Sequence, residues 1–265
     1  MPFACDLELV LETRPGDYRF PPGAEAFVSG AREVLDHPRP CDGTITSSIP
    51  SGAGLSSSTA LTTALLFAFG DGAKPSPELV LRAEVVATGV PGGLMDQTAI
   101  LEGRAGHALL LDCATGIFEY ARIPEEIAIV VIDTGTRRAL ADGRYARRRA
   151  EVEAGDPRRV RHAESEQARV YAAADALRAA DADALGAIIT ASHASLRDDF
   201  EVSSKELDAA VERAERLPGC TGARLVGAGF AGCVLAIAHA DEAQAVAEAF
   251  DNAWVVRAVD GASEV

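Results

Sequence analysis

No apolar run in these 265 residues approaches the roughly 18 consecutive apolar residues of a membrane-spanning helix. The start of the chain lacks a basic stretch followed by an apolar core, so no secretory leader is read there. Basic side chains are scarce: 25 Lys and Arg stand against 40 Asp and Glu, a net charge of −15. Such a surface repels nucleic acid and anionic membranes, and solubility is its plain account. The five cysteines, Cys5, Cys41, Cys113, Cys220 and Cys233, form no C-x-x-C pair and no metal-like spacing. An odd number of them scattered through apolar stretches fits reduced thiols in a cytoplasmic protein. Internal repeats and low-complexity linkers are also missing. What remains is 48% hydrophobic and 25% charged, the composition of a folded soluble protein, long enough for one large domain or two modest lobes.

Along the chain, Phe3, Cys5, Leu7, Leu9 and Leu11 alternate as a strand does. Helical spacing follows over 24–35, then a short β-like piece near 43–47. The run Ala60–Phe69 keeps helical spacing until Gly70-Asp71-Gly72 stops it. Ser76 as cap and Pro77 in the first turn open a second helix that ends near Gly89. Pro91-Gly92-Gly93 then turns into a short helix carrying Met95, Asp96 and Gln97. Ala108–Asp112 and Ile127–Asp133 read as buried strands. From about Leu140 helices dominate, over 142–153, 160–179, 183–196 and 204–217. A strand at Gly222–Val226, a loop at Gly227–Gly232 and a strand at Cys233–Ala238 follow. Asp241 is placed to cap a last helix, and Trp254–Val259 makes a last strand. The pattern predicts two α+β lobes, 1–135 and 136–265.

The most informative stretch is Pro50-Ser51-Gly52-Ala53-Gly54-Leu55-Ser56-Ser57-Ser58-Thr59, set between a β-like piece and a helix. Glycines let the backbone approach a ligand, and the free N–H groups of the next helix, with its dipole, face an anion. Serine hydroxyls add donors and are magnesium ligands elsewhere. The lysine of a Walker A loop is missing, so this is not that motif. The alternative reading is a tight turn whose serines serve only as helix caps.

That stretch resembles the second signature of the GHMP kinases, the galactokinase, homoserine, mevalonate and phosphomevalonate kinases. Gly89-Val90-Pro91-Gly92-Gly93-Leu94-Met95-Asp96-Gln97 and Gly106-His107-Ala108-Leu109-Leu110-Leu111-Asp112-Cys113 narrow the resemblance to the galactokinase branch. Leu140-Ala141-Asp142 with Tyr145, Arg147 and Arg148, the run Ser192–Ser203, the glycine loop Gly227–Cys233 and Val255-Val256-Arg257 extend it in family order over nearly the whole chain. The resemblance implies an α+β, two-lobed GHMP-kinase-like fold, with a ribosomal protein S5 domain 2-like N-terminal lobe and a ferredoxin-like C-terminal lobe. It implies ATP and Mg²⁺ as cofactors and a hexose, with galactose first, phosphorylated at its anomeric hydroxyl. Pro50, Ser51, Gly52, Ala53, Gly54, Leu55, Ser56, Ser57 and Ser58 would bind ATP, and Ser58 and Glu84 the magnesium. Asp96 would be catalytic, orienting or deprotonating the sugar hydroxyl, and Gly93, Asp96 and Tyr145 would contact the sugar. Gly227, Gly229 and Gly232 would close on phosphates and substrate. His107 and His193 read as scaffold. On residue type alone, Glu84 reads equally as a solvated helix glutamate and Tyr145 as packing at a lobe boundary.

The resemblance also has departures. Residues 1–6 resemble the segment just after the family's opening signature, whose arginine supports the catalytic aspartate and whose acidic and histidine side chains bind sugar. No counterpart of that signature is present in the sequence. The chain is also short between Pro15 and Ala24 and between Glu153 and Arg158, and Ala228 and Ala231 stand where the family favours glycine. The expectation is therefore an N-terminally truncated sugar kinase with weakened sugar contacts. Its rival is an impaired galactokinase-like binding or regulatory protein, or a degenerate remnant. Partners are expected to be the sugar and ATP, without nucleic acid or membrane. A monomer is expected, with self-association possible through an exposed N-terminal strand edge.

Overall fold

The computed structural model describes residues 10–12, 24–40, 42–44, 47–137 and 143–263. The expected strand around Phe3–Leu11 lies mostly outside them, as do Leu140, Ala141 and Asp142. Its described end, β1 (Val10–Glu12), pairs antiparallel with β2 (Asp42–Thr44). Three helices then build the first core: α1 (Glu25–Glu33), α2 (Ser57–Phe69) and α3 (Pro77–Thr88). Val28, Ala31, Leu65, Leu66, Phe69, Val80 and Ala83 close on one another there, with Leu101 from α4 (Met95–Glu102). α2 is apolar on nearly every side and is accordingly the central, buried helix. Its neighbour α3 begins where the sequence predicts. The Ser76 hydroxyl accepts from the Leu79 N–H at 3.2 Å, and Gly89 ends the helix in the left-handed conformation.

A hairpin follows, β3 (His107–Leu111) antiparallel to β4 (Phe118–Arg122). The first of these is half-buried rather than buried, and among the described residues it pairs with β4 alone.

The second lobe opens with β5 (Ile127–Asp133) and continues through four helices, α5 (Arg144–Glu153), α6 (Pro157–Arg178), α7 (Ala182–Asp198) and α8 (Lys205–Glu215). It ends β6 (Cys220–Leu225), β7 (Cys233–His239), α9 (Ala243–Glu248) and β8 (Ala253–Val256). The sheet order is β6-β7-β5-β8 with every neighbouring pair antiparallel. A strand, a helical excursion, two strands, a helix and a last strand in that order make the ferredoxin-like arrangement. β5, which lies before the expected division at residue 135, is part of this sheet. It pairs with β7 from Ile127↔His239 to Asp133↔Cys233. Glu242, not Asp241, precedes α9, without a side-chain cap bond.

Val130, Ile132, Leu225 and Val234 of this sheet pack with Leu207 and Val211 of α8 and Val246 of α9 in the larger core. No described helix is long and apolar enough to cross a membrane.

Candidate active site

The loop at residues 50–56 delivers the chain to the N-terminus of α2. Ser56 sits just before the helix in the left-handed region, φ 55°, and its side chain makes no capping hydrogen bond. A non-glycine residue there costs roughly 1–2 kcal/mol. The Ser56 side chain does not cap the first-turn N–H groups, which point out of the helix end. The reading of these serines as mere caps is thus not what the fold does with Ser56.

One turn into α2, the Thr59 hydroxyl donates across both carboxylate oxygens of Glu84, at 3.0 and 3.1 Å. From the other side the Gln97 side-chain amide donates to Glu84 Oε2 at 2.5 Å. Glu84 is therefore not a solvated helix residue: it is gripped between α2 and α4. Burial pushes its carboxyl above the ordinary range, and the charge of nearby Asp96 adds to the rise. Hydrogen bonds from Gln97, Thr59 and Ser58 oppose it. Asp96 occupies the first turn of α4, where the helix dipole favours a negative charge. Ser58, Glu84 and Asp96 are thereby neighbours in space.

The Gly227–Gly232 loop reaches this region from the second lobe. At Gly232, φ 104°, an added Cβ would lie 2.4 Å from the Ala53 carbonyl oxygen. At Gly229, φ 76°, it would lie 2.2 Å from the Val202 carbonyl oxygen. Both distances are below any real contact, so these two positions require glycine on steric and conformational grounds. The Thr134 hydroxyl donates to the Gly232 carbonyl at 2.6 Å, and the Gly232 N–H donates to Thr136 Oγ1 at 3.1 Å. Ala53 itself is buried with Val131 and Cys233, and Leu55, Val226 and Trp254 pack around them. The serine-rich loop is in this way seated on the second lobe's sheet.

Gly93 lies exposed in the turn before α4. Tyr145, on α5, is 47% exposed and meets Phe200 edge-on with ring centroids 6.2 Å apart. That contact fits packing at the lobe surface and leaves the ring accessible. His107 holds the Ala105 carbonyl through Nδ1 at 2.7 Å. His193 is buried and accepts from the Leu225 N–H at 3.3 Å. Both histidines are engaged with backbone, as scaffold residues are.

The donor set at Glu84 and Ser58 is one carboxylate and one hydroxyl. Among the described residues no group of three or more His, Cys, Asp or Glu is arranged to hold a metal ion. Magnesium suits such a sparse oxygen set, since it keeps several waters and binds through one or two protein ligands plus substrate phosphates.

Two family models match the chain, GHMP kinases N terminal domain over residues 25–104 and GHMP kinases C terminal over 173–256. The galactokinase of Chloroflexus aurantiacus is 37% identical over 257 residues, covering 83% of this chain and 66% of that protein. The galactokinase of a Roseiflexus species is 35% identical over 270 residues, covering 83% of this chain and 69% of that protein. The chain belongs to the galactokinase family of GHMP kinases. A crystal structure of Lactococcus lactis galactokinase complexed with galactose superimposes with a TM-score of 0.80 at 27% identity, over 96% of this chain and 78% of that one. A mevalonate kinase from L. major, at 21% identity and a TM-score of 0.65, shares the fold. The chain spans about two thirds of the length of the curated galactokinases it matches, from 64% to 69%.

Two side chains that meet Glu84 escaped the sequence reading. Thr59 and Gln97 stand inside the motifs singled out, yet only the packing of α2, α3 and α4 turns both onto Glu84.

Proposed function

We propose that this chain transfers the γ-phosphoryl group of ATP to the anomeric hydroxyl of a hexose, galactose first among them, giving the sugar 1-phosphate. The observation that carries the reading is the convergence of Ser58, Glu84 and Asp96 beside the uncapped N-terminus of α2. In this reading the loop 50–58 binds the phosphates through backbone N–H groups and serine hydroxyls. Ser58 and Glu84 would hold magnesium, which when bound neutralises charge on the transferring phosphates. Asp96 orients the attacking hydroxyl and accepts its proton. Phosphoryl transfer has a loose transition state, so positioning outweighs base strength. Gly93 and Tyr145 flank the sugar, and Gly227, Gly229 and Gly232 hold the loop that backs the phosphates. The chain would work as a monomer in the cytoplasm, with the three cysteines described, Cys113, Cys220 and Cys233, all free.

The test is ADP release in a coupled assay over a panel of aldohexoses, with Asp96→Asn beside the wild type. Galactose should support turnover, and the variant should lose roughly 10²-fold or more in kcat while keeping its affinity for Mg-ATP. Sugar-independent ADP release, or an Asn variant as fast as wild type, would move the catalytic group elsewhere.

A further inference from the structure

We infer that Gln97 is the positioning residue that gives Glu84 a defined metal-facing oxygen, an inference that rests on the reading of Glu84 as a magnesium ligand. Gln97 is 4% exposed. Its two ends are unequal: Nε2 donates to Glu84 Oε2 at 2.5 Å, while Oε1 is buried and has no hydrogen-bond partner. The amide cannot be turned round to improve this. A flip would press Oε1 against the carboxylate, acceptor on acceptor, and forfeit the one bond the side chain makes.

The position thus leaves one polar atom unsatisfied in order to make a single strong bond at the other end. A methionine of similar length would fill the space with no such atom, so packing gives no reason for an amide here. The reason lies at the carboxylate. Thr59 spans both oxygens almost equally, at 3.0 and 3.1 Å, and so does not distinguish them. Gln97 breaks that symmetry by taking Oε2 alone. It fixes the rotation of the carboxylate plane and leaves Oε1, which Gln97 does not bond and which the Thr59 hydroxyl meets at 3.0 Å, as the oxygen offered to a cation. Because Gln97 follows Asp96 on α4, the same bond ties the helix bearing the proposed base to the proposed metal ligand on α3.

The experiment measures ATP affinity by calorimetry with and without magnesium, on the full chain, for wild type, Gln97→Met and Gln97→His, together with thermal melts. In wild type, magnesium should strengthen ATP binding. In Gln97→Met that strengthening should fall about 10-fold or more, the usual effect of removing a partner that orients a metal ligand. Metal-free ATP affinity should stay at the wild-type value, and the melting temperature should hold or rise. Gln97→His keeps a nitrogen donor at similar reach and should recover part of the magnesium effect. The inference is overturned if Gln97→Met keeps the full magnesium effect, or if it lowers affinity equally with and without magnesium while melting earlier, the signature of a merely structural residue. A wild-type chain that binds ATP with no help from magnesium would instead overturn the metal reading of Glu84, and this inference with it.

Discussion

At the residue scale the site is dominated by the cost of keeping one carboxylate out of water. Burial raises the Glu84 pKa above its ordinary value of 4.5, with the Asp96 charge acting in the same direction. A carboxyl whose pKa is raised by folding binds its proton more tightly in the folded chain. Its contribution to stability is therefore full below that ordinary value and is lost as pH rises through the raised one. At neutral pH the ionised Glu84 weakens the ligand-free fold. Glu84→Gln keeps an acceptor for Thr59 and removes the charge. It should melt higher than wild type at neutral pH, the gain should vanish in melts below pH 4.5, and the magnesium dependence of ATP binding should be lost. A variant that melts lower than wild type at neutral pH would show that the hydrogen bonds of Gln97 and Thr59 outweigh the desolvation. Ser58 and Asp96 stand inside short motifs of the sequence, whereas Glu84 lies in none and was named only through the resemblance. The grip on Glu84 was not legible there, since its partners lie 25 and 13 residues away and meet only when three helices pack.

At the scale of elements, caps and spacing made most helices readable, and the one junction that matters most to α5 and α6 is electrostatic. Arg159 is 3% exposed. It donates to Glu151 at 2.9 Å, to Glu201 at 2.6 Å and to the Asp199 carbonyl oxygen. Arg148 bridges the same two carboxylates, at 2.8 and 3.3 Å. The Arg159 guanidinium, with Arg147 and Arg148, draws the Glu151 carboxyl down from 4.5 to about 2. A lowered carboxyl contributes stability that is present above its ordinary value and lost as pH falls toward the folded one. Arg159→Met should destabilise the chain, since it removes the buried guanidinium that both carboxylates share. It should also flatten the acid limb of the stability profile between pH 4.5 and about 2, read by urea unfolding at stepped pH. An unchanged acid limb would put the acid-sensitive groups elsewhere. Two elements resisted sequence reading for different reasons. β4 buries only Ala121 and exposes Glu119 and Tyr120, so no apolar alternation marks it. β5 was found as a strand, but its pairing with β7, a hundred or more residues later in the chain, was not, because such pairing leaves no local trace.

At the scale of the whole molecule the two lobes are coupled where two glycine-bearing loops touch backbone to backbone. Gly232 is held by Thr134 and Thr136 from the end of β5, and faces the Ala53 carbonyl with no room for a side chain. A methyl group there must displace one loop or the other. The second-lobe side is anchored by a sheet and by those hydroxyls, whereas the first-lobe side is a short loop bonded through Ala53 N–H to the Pro50 carbonyl at 3.4 Å. The weaker side should yield, and that side leads to the proposed phosphate site. Gly232→Ala is therefore expected to lower ATP affinity by at least about 10-fold, or roughly 1.4 kcal/mol, through movement of residues 50–56. The sheet and its core, built on Val130, Ile132 and Val234 away from the contact, should keep their far-ultraviolet circular dichroism. Trp254, the single tryptophan, packs on the cluster of Ala53, Val131 and Cys233 and supplies the reporter. Its emission should shift in the ligand-free variant and respond less to added Mg-ATP than in wild type. If Gly232→Ala binds ATP normally with unaltered Trp254 emission, the loops do not transmit position between the lobes, and the glycine serves the turn alone.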